Sequence, residues 1–274
     1  MVTRLLCMGL FFVKWVLSAV GVVALVLTAM LATPLQRPPE LSSISETVRA
    51  VDRSTMPPLQ RFSARDGSEL AYRHYPARGA AAGRIAILVH GSSGSSVAVH
   101  ALADALAARG VATWAPDIRG HGGSGTRGDI GYLGQLEHDL ADLVALVRKT
   151  SPEEPLTLLG HSAGGVFAIY ALEQRPALFQ RIVAASPAFG TFSDELFIAE
   201  KLKNIKMPVR LDLSAGEEEN SAGARKFYEL LNESKPPNLE YRLTVYKSEN
   251  HNSVRLSSFP SGLYWVYGSP AKSK

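Results

Sequence analysis

Hydrophobic and polar positions divide the chain into three parts. An uncharged apolar run extends from Trp15 to Ala32 and gives a helix of roughly 27 Å at 1.5 Å per residue, which is enough to span a bilayer. Residues 33–57 contain prolines and a Ser/Glu/Arg-rich middle, and such a segment buries little apolar surface. Buried and amphipathic patterns then continue from residue 58 to about residue 270. The sequence therefore predicts an apolar helix within 1–32, a tether over 33–57 and a folded domain over 58–270.

The apolar run has two interpretations, a membrane anchor and a cleavable signal sequence. It is longer than the about 7 to 15 apolar residues typical of a signal sequence, and no clean A-x-A cleavage site follows it. These features favour a single-pass anchor. Arg4, Lys14 and the free N-terminal amine precede the run, whereas Arg37 and Arg49 follow it. The slight excess of positive charge before the run favours a cytoplasmic N-terminus and an extracytoplasmic domain; if the segment is cleaved instead, the domain is secreted.

Short apolar runs alternate with helical spacing in the third part of the chain. Ile85–Val89 contains only apolar residues, as is typical of a strand buried on both faces, and Asp66-Gly67 predicts a hairpin turn. Further strands are expected at Val111–Ala115, Leu156–Leu159, Ile182–Ala185, Pro208–Ala215 and Leu239–Tyr246. Helices are expected at Val97–Ala108, Leu136–Val147, Gly165–Glu173 and Ala224–Leu231. The alternation predicts an α/β fold, with a mostly parallel sheet covered by helices on both faces.

Charge and cysteine content exclude some functional classes. The formal net charge is +4, but Lys and Arg are dispersed among acidic residues, which argues against a nucleic-acid-binding face. Cys7 is the single cysteine, so the chain has no intramolecular disulfide and no CxxC metal motif. Neither a metal nor an organic cofactor is expected.

The segment Gly160-His161-Ser162-Ala163-Gly164 fits the pattern G-x-S-x-G. It follows the predicted strand Leu156–Leu159 and opens a helix, as a nucleophile elbow does, and flanking glycines allow the tight turn. The alternative role for Ser162 is that of a helix N-cap, but a cap does not require the surrounding glycines. Ser162 is therefore the candidate nucleophile.

A second loop, His90-Gly91-Ser92-Ser93-Gly94, follows the first buried strand. Acyl transfer needs backbone N–H donors aimed at the developing oxyanion, and a glycine-rich turn allows the backbone to come close. The backbone N–H groups of Ser92 and Ala163 are the expected pair. The alternative is an ordinary Gly/Ser turn.

The general base follows by elimination. In folds of this type the triad runs in the order Ser, acid, His, and of seven histidines only His251 follows Ser162. It lies in a polar loop after the last predicted strand, where the base is expected, although an exposed loop histidine would fit the same position.

The triad acid is less well defined. Gly216-Glu217-Glu218-Glu219 follows the strand Pro208–Ala215, and a carboxylate that orients the imidazole is expected at that end. Glu219 is the first candidate and Glu218 the alternative, while all three glutamates could instead favour the start of the next helix through its dipole. Asp212, inside a strand, and Glu249, two residues from His251, are weaker candidates.

These loops together resemble the α/β-hydrolase superfamily. Over residues 84–190 the chain is similar to its lysophospholipase and monoacylglycerol-lipase branch, which includes serine aminopeptidase-like hydrolases; the matching motifs are His90-Gly91, Asp117–Ser124 and Gly160–Gly165. The resemblance implies that His121 is structural. Leu211–Tyr267 is more similar to compact esterases of the siderophore-esterase type. Only residues 189–207 separate two strands where the branch carries a cap, which predicts a minimal cap with one helix, Ser193–Asn204, whose Leu196, Phe197 and Leu202 could face an open pocket.

The leading hypothesis is a membrane-anchored α/β-hydrolase that cleaves carboxylic esters through a Ser-Glu-His triad and an acyl-enzyme. Its partners would be a small-molecule or lipid ester substrate and, through the N-terminal helix, a membrane. An acyltransferase with the same triad and a non-catalytic tethered binding module are the alternatives. The physiological substrate and the oligomeric state are left open by the sequence.

Overall fold

The computed structural model describes residues 2–32, 52–78, 83–92, 94–126, 128–189, 199–219 and 221–268. The chain divides into two compact units, residues 1–50 and 51–274. In the first unit, helix α1 spans Val2–Ala32, and its segment Phe12–Ala32 is long and apolar enough to cross a membrane. Such a helix could be an anchor or a signal sequence. Most of the predicted tether lies outside the described residues.

The second unit contains an eight-stranded sheet in the order β1-β2-β4-β3-β5-β6-β7-β8. The strands are β1 Gln60–Ser63, β2 Glu69–Tyr75, β3 Arg84–Val89, β4 Val111–Pro116, β5 Leu156–His161, β6 Arg181–Ala185, β7 Val209–Gly216 and β8 Leu239–Tyr246. β2 pairs antiparallel with β1 and β4, whereas all other neighbouring pairs are parallel. The predicted α/β-hydrolase fold with a mostly parallel sheet is confirmed, and the turn at Asp66-Gly67 joins β1 to β2 with Gly67 at φ 83°.

Helices cover both faces of this sheet. The α-helices of the second unit are α2 His100–Ala108, α3 Gln135–Thr150, α4 Ala163–Gln174, α5 Ala222–Ser234 and α6 Val254–Tyr267. α3, α4 and α5 bury apolar residues in one core, and α2 and α6 bury theirs in a second. In β3, Ile87 belongs to the first core and its neighbour Leu88 to the second. A strand whose alternating side chains enter two cores has to be apolar throughout, which explains the uninterrupted run Ile85–Val89.

The helix expected at Ser193–Asn204, in the connection between β6 and β7, lies partly outside the described residues, as do Leu196 and Phe197. Its described part, Ala199–Asn204, is a 3₁₀ helix. Leu202 is fully buried in the core with α3, α4 and α5. The expectation that Leu202 is available to a pocket is therefore wrong, because the short helix uses this residue to pack onto the domain.

The carboxyl ends of the parallel strands meet at one edge of the sheet. The loop of His90 follows β3, Ser162 follows β5, and Ser186 follows β6. Glu219 and His251 come shortly after β7 and β8, respectively. Residues that are far apart in the sequence are thus brought to one place, where open α/β sheets bind their ligands.

Candidate active site

Ser162 occupies the tight turn between β5 and α4. Its backbone has φ 57° and ψ −123°, a conformation that side-chain-bearing residues rarely adopt. A Cβ on Gly160 would collide with the Gly164 carbonyl, and a Cβ on Gly164 would lie 2.7 Å from the Val89 carbonyl oxygen. Both glycines are therefore required by the close packing of the turn on itself and on β3, as the G-x-S-x-G pattern predicts.

Backbone hydrogen bonds hold this turn against β6. The Ser162 N–H donates to the Ala185 carbonyl at 3.1 Å, and the Ser162 carbonyl accepts from Gly165, Val166 and Ala188. Although Ser162 is the N-cap residue of α4, its hydroxyl makes no capping hydrogen bond. The hydroxyl is thus left available for chemistry.

Glu219 and His251 lie in direct contact. Glu219 Oε2 is 2.8 Å from His251 Nδ1, and Glu219 Oε1 accepts a hydrogen bond from the Gly216 N–H at 2.5 Å. Nδ1 therefore carries a proton toward the carboxylate, which leaves Nε2 free to act as a base. In the described part of the chain, no hydrogen bond joins the Ser162 hydroxyl to His251; such bonds are often long in ligand-free enzymes and shorten when substrate binds.

The other acidic candidates have different surroundings. Glu217 accepts a long hydrogen bond from the Ser248 N–H at the surface, and Glu249 accepts from the Ser257 hydroxyl. Asp212 is fully buried within β7 and pairs with Arg242 of β8. Within the described part of the chain, Glu218 donates its backbone N–H to the Glu249 carbonyl and makes no side-chain hydrogen bond. Among the acidic candidates, Glu219 is therefore the one whose carboxylate contacts the His251 imidazole.

Ser186, which sequence reasoning missed, completes this network. Its hydroxyl donates to Glu219 Oε2, and its Oγ lies 2.6 Å from His251 Nδ1. Ser186 is 2% exposed and has φ 43°, a second left-handed residue at the end of the strand beside β5. A Ser-Pro pair after a predicted strand has no distinctive spacing, so only the strand order reveals the role of Ser186.

Hydrogen bonding keeps Glu219 charged. Burial alone would raise the pKa of Glu219, but donors from Ser186, the Gly216 backbone and His251 lower it below its usual value. An ionised Glu219 holds the Nδ1 proton of His251 and stabilises the imidazolium that forms when Nε2 accepts a proton.

His161 fixes the backbone of the His251 loop. Burial lowers the pKa of His161 to about 4, so the ring is neutral, and its Nε2 lies 2.8 Å from the His251 carbonyl oxygen, to which it donates. The two imidazole rings are 4.7 Å apart. His161, the first variable residue of the G-x-S-x-G motif, thus connects the elbow to the loop that carries the candidate base.

The loop after β3 lies against the elbow. An added Cβ on Gly91 would be 3.8 Å from Ser162 Cβ, and Ser92 lines the same cavity as Ala163. His90 braces this loop: Nδ1 is 2.8 Å from the Gly91 carbonyl oxygen, and Nε2 accepts the Ile118 N–H at 3.0 Å. Because Nε2 accepts, Nδ1 is the donor. Burial lowers the pKa of His90, which keeps it in this neutral form.

The motif Asp117–Ser124 is a scaffold behind this loop. Asp117 accepts from the Ser96 N–H at 2.6 Å and from the Gly123 N–H at 2.7 Å, so it joins two loops. Arg119 forms a buried pair with Asp139 at 2.8 Å. His121 lines the cavity beside His90, with the ring centroids 5.3 Å apart.

A cavity of about 660 Å³ opens beside the elbow. That volume lies within the range of about 300–1,000 Å³ typical of small-molecule sites. The cavity extends from Ser92 and Ala163 toward the segment between β4 and α3. Its apolar lining comprises Ile118, Ile130, Leu133, Leu136, Val166 and Phe167. The sequence analysis predicted pocket-facing residues in the connection after β6. It did not identify the segment between β4 and α3, which forms a wall of this cavity.

The described residues contain no group of three or more His, Cys, Asp or Glu side chains that could hold a metal ion. The arrangement at the strand ends can support acyl transfer, with a candidate nucleophile, an imidazole and a carboxylate.

This fold, with a serine elbow and an imidazole–carboxylate pair at neighbouring strand ends, defines an α/β-hydrolase. Residues 80–226 match the Hydrolase_4 family, described as serine aminopeptidase, S33. The match covers more than half of the chain, which therefore belongs to this family, and the resemblance noted in the sequence is confirmed.

Individual proteins show the same relationship. The monoglyceride lipase of Rattus norvegicus is 31% identical over 192 residues, which cover 68% of this chain and 61% of the rat enzyme. The chain thus spans less than two thirds of that relative. Among solved structures, a soluble variant of monoglyceride lipase from Saccharomyces cerevisiae in complex with a substrate analogue has a TM-score of 0.64 at 16% identity, covering 80% of this chain and 97% of the yeast chain. An α/β serine hydrolase without a lid from Xanthomonas campestris has a TM-score of 0.59 at 18% identity, covering 80% and 98%. At these identities, the two structures show the shared fold.

Proposed function

We propose that the protein is a serine hydrolase that cleaves carboxylic esters. The observation that carries the proposal is the left-handed serine elbow of Ser162 beside the 2.8 Å contact between His251 and Glu219. The similarity to monoglyceride lipases in sequence and fold supports a lipid ester as the substrate class.

The reaction begins when the Ser162 hydroxyl attacks the ester carbonyl. His251 Nε2 takes the hydroxyl proton, and Glu219 stabilises the resulting imidazolium. The carbonyl electrons move onto oxygen, where the N–H groups of Ser92 and Ala163 stabilise the negative charge. As the tetrahedral intermediate collapses, the C–O bond to the alcohol breaks and His251 returns the proton to the leaving alcohol. Water, activated by His251, then hydrolyses the acyl-enzyme to acid and free Ser162.

Probe labelling and ester hydrolysis test this function together. A fluorophosphonate probe should label the wild-type chain at Ser162, and the same protein should release free acid from p-nitrophenyl esters. Ser162→Ala should abolish labelling and lower turnover by on the order of 10⁴ or more, since no other group replaces a covalent nucleophile. A folded Ser162→Ala variant with undiminished hydrolysis would exclude the assignment. Product analysis in the presence of an added alcohol distinguishes acyl transfer from hydrolysis.

The location of this activity follows from α1. Phe12–Ala32 supports a single-pass anchor, connected to the hydrolase through residues 33–57, and the slight excess of positive charge before it supports an extracytoplasmic hydrolase.

A further inference from the structure

The cavity beside Ser162 is apolar except at a few positions, and most of its polar groups already have partners. His90 accepts the Ile118 N–H, and the Tyr132 hydroxyl is 2.9 Å from His138 Nδ1. Gln135 accepts the Gly131 N–H and donates to Asp66. These bonds hold the segment between β4 and α3 in place as a wall of the cavity.

Glu137 is different, because it brings a carboxylate to the apolar cavity without a neutralising cation. The residue is 6% exposed and lines the cavity. Within the described part of the chain, no Lys or Arg forms an ion pair with Glu137. A carboxylate that faces an apolar cavity without a cation can accept a hydrogen bond from a ligand that enters the cavity.

Tyr170 is the polar neighbour of Glu137. It also lines the cavity and packs against the core from α4. Burial raises the pKa of the Tyr170 hydroxyl, and the negative charge of the nearby Glu137 carboxylate raises it further. The phenol therefore remains protonated. Within the described residues, no hydrogen bond to the Glu137 carboxylate is found, so its acceptor capacity is available to a ligand.

Position in the first turn of α3 does not by itself account for Glu137. Acidic residues there are favoured by the helix dipole, and Gly134, the N-cap residue, has no side chain with which to cap. The same benefit is available to a carboxylate directed to solvent, however, and does not require burial against an apolar cavity.

The distance from the reacting centre follows from α4. Ala163, Phe167 and Tyr170 lie at helical spacing on the cavity side of this helix. Seven residues at 1.5 Å rise place Tyr170 roughly 10 Å along the helix from Ala163. A substrate chain that runs along α4 from the oxyanion donors therefore reaches the Glu137–Tyr170 pair after an apolar stretch.

We propose that Glu137 and Tyr170 form a specificity site for a hydrogen-bond donor, a hydroxyl or an amine, carried by the ester substrate at the far end of an apolar segment. This inference rests on the proposed esterase function. The carboxylate accepts the donor, and the Tyr170 hydroxyl lies beside it on the cavity lining. A methyl-ended chain would leave the carboxylate buried without a new partner, so the site rejects it.

Matched esters with one leaving group test the proposal on the full-length chain in detergent. The series contains propionate, octanoate and dodecanoate p-nitrophenyl esters, each with a methyl, an ω-hydroxyl or an ω-amino end. We expect kcat/KM to favour the polar-ended over the methyl-ended ester by at least about tenfold at one of the two longer lengths. Propionate is too short to span roughly 10 Å, so its three esters should differ little.

Four variants identify the residues responsible. Glu137→Leu should abolish the preference for a polar end, and Tyr170→Phe should weaken it. Glu137→Gln keeps the size and a hydrogen-bonding group, so it should retain the preference for a hydroxyl and lose that for an amine; it also serves where Glu137→Leu fails to fold. Glu229→Gln, which changes an exposed carboxylate on α5, is the control and should behave as wild type.

The acetate ester separates this inference from the function on which it rests. Acetate hydrolysis by the wild type and by Glu229→Gln shows that the esterase is intact, and the ratio of polar-ended to methyl-ended kcat/KM within each variant then judges the site alone. A wild type that does not prefer the polar end at either of the two longer lengths, or an unchanged ratio in both Glu137 variants, would overturn the proposal. Absence of both probe labelling and acetate hydrolysis in the wild type would overturn the esterase function and the specificity site together.

Discussion

Two serines with positive φ lie side by side at the ends of β5 and β6. Ser162 has φ 57° and Ser186 has φ 43°, and such conformations cost on the order of 1–3 kcal/mol each. Ser162 could be identified from the sequence because the tight turn around it requires flanking glycines, which form a recognisable motif. The sequence did not identify Ser186, because the contacts of Ser186 with Glu219 and His251 depend on the order of β6, β7 and β8 and leave no local pattern.

Replacing Ser186 tests whether its hydroxyl positions the imidazole. Ser186→Ala removes the donor to Glu219 and keeps the strained backbone, whereas Ser186→Gly removes the donor and relieves the strain. We expect both variants to lower kcat by roughly ten- to a hundredfold with little change in KM, since a hydrogen bond to a charged group is lost. Ester kinetics measure the effect of losing the hydroxyl, and thermal unfolding measures the effect of relieving the backbone strain. Near-wild-type kcat in Ser186→Gly would show that the hydroxyl is dispensable.

At the scale of helices and strands, the parts of the site with a periodic or glycine-marked pattern could be predicted, and the substrate cavity could not. The buried strands and their order of appearance placed the elbow, the loop after β3 and His251 at one edge of the sheet. The segment from Ile130 to Gln135 has apolar residues without helical or strand period, so it gave no signal, although it forms a wall of the cavity. Its position is set by long-range bonds such as that of Gln135 with Asp66.

The pair Asp212–Arg242, which joins β7 to β8, predicts a pH dependence of stability. Burial raises the pKa of Asp212 to about 6, although Arg242 lowers it in part, and one carboxylate oxygen has no hydrogen-bond partner. Because this folded-state pKa lies above the unfolded value of 3.8, the folded state binds the proton more tightly. The stabilising contribution of this proton is complete below the unfolded pKa and is lost as pH rises through about 6; it amounts to no more than about 3 kcal/mol.

Urea unfolding measures this effect on the chain that begins at Arg53. The pH values should run from about 4 to about 7, which covers the titration of Asp212. Asp212→Asn cannot titrate, so its free energy of unfolding should fall less over this range than that of the wild type. Glu240→Gln is the control, because Glu240 is a half-exposed partner of Arg210. Identical pH slopes for wild type and Asp212→Asn would mean that Asp212 remains ionised in the folded protein.

At the scale of the whole molecule, the chain contains an apolar helix and a hydrolase unit. The two parts can be told apart from the sequence alone. Composition alone distinguished them, because one is uncharged over a bilayer length and the other alternates strands and helices. Composition does not distinguish an anchor from a signal sequence, since both require a long apolar helix near the N-terminus. Whether α1 is an anchor or a signal sequence depends on whether a peptidase cleaves the segment that follows it.

Extraction and N-terminal sequencing make this choice. If α1 is an anchor, the full-length chain should stay with the membrane fraction after a high-salt wash and require detergent for release, because salt weakens electrostatic attachment but not the burial of about 20 apolar residues. The chain that begins at Arg53 should remain soluble without detergent and keep the kcat for acetate esters of the full-length protein, since Ser162, Glu219 and His251 all belong to the second unit. Substituting Lys for Val22 and Leu25 in the middle of α1 should release the full-length chain without detergent if the helix spans the bilayer. A mature, freely soluble product whose N-terminus lies near residue 33 would instead identify α1 as a cleaved signal sequence and the hydrolase as a secreted protein.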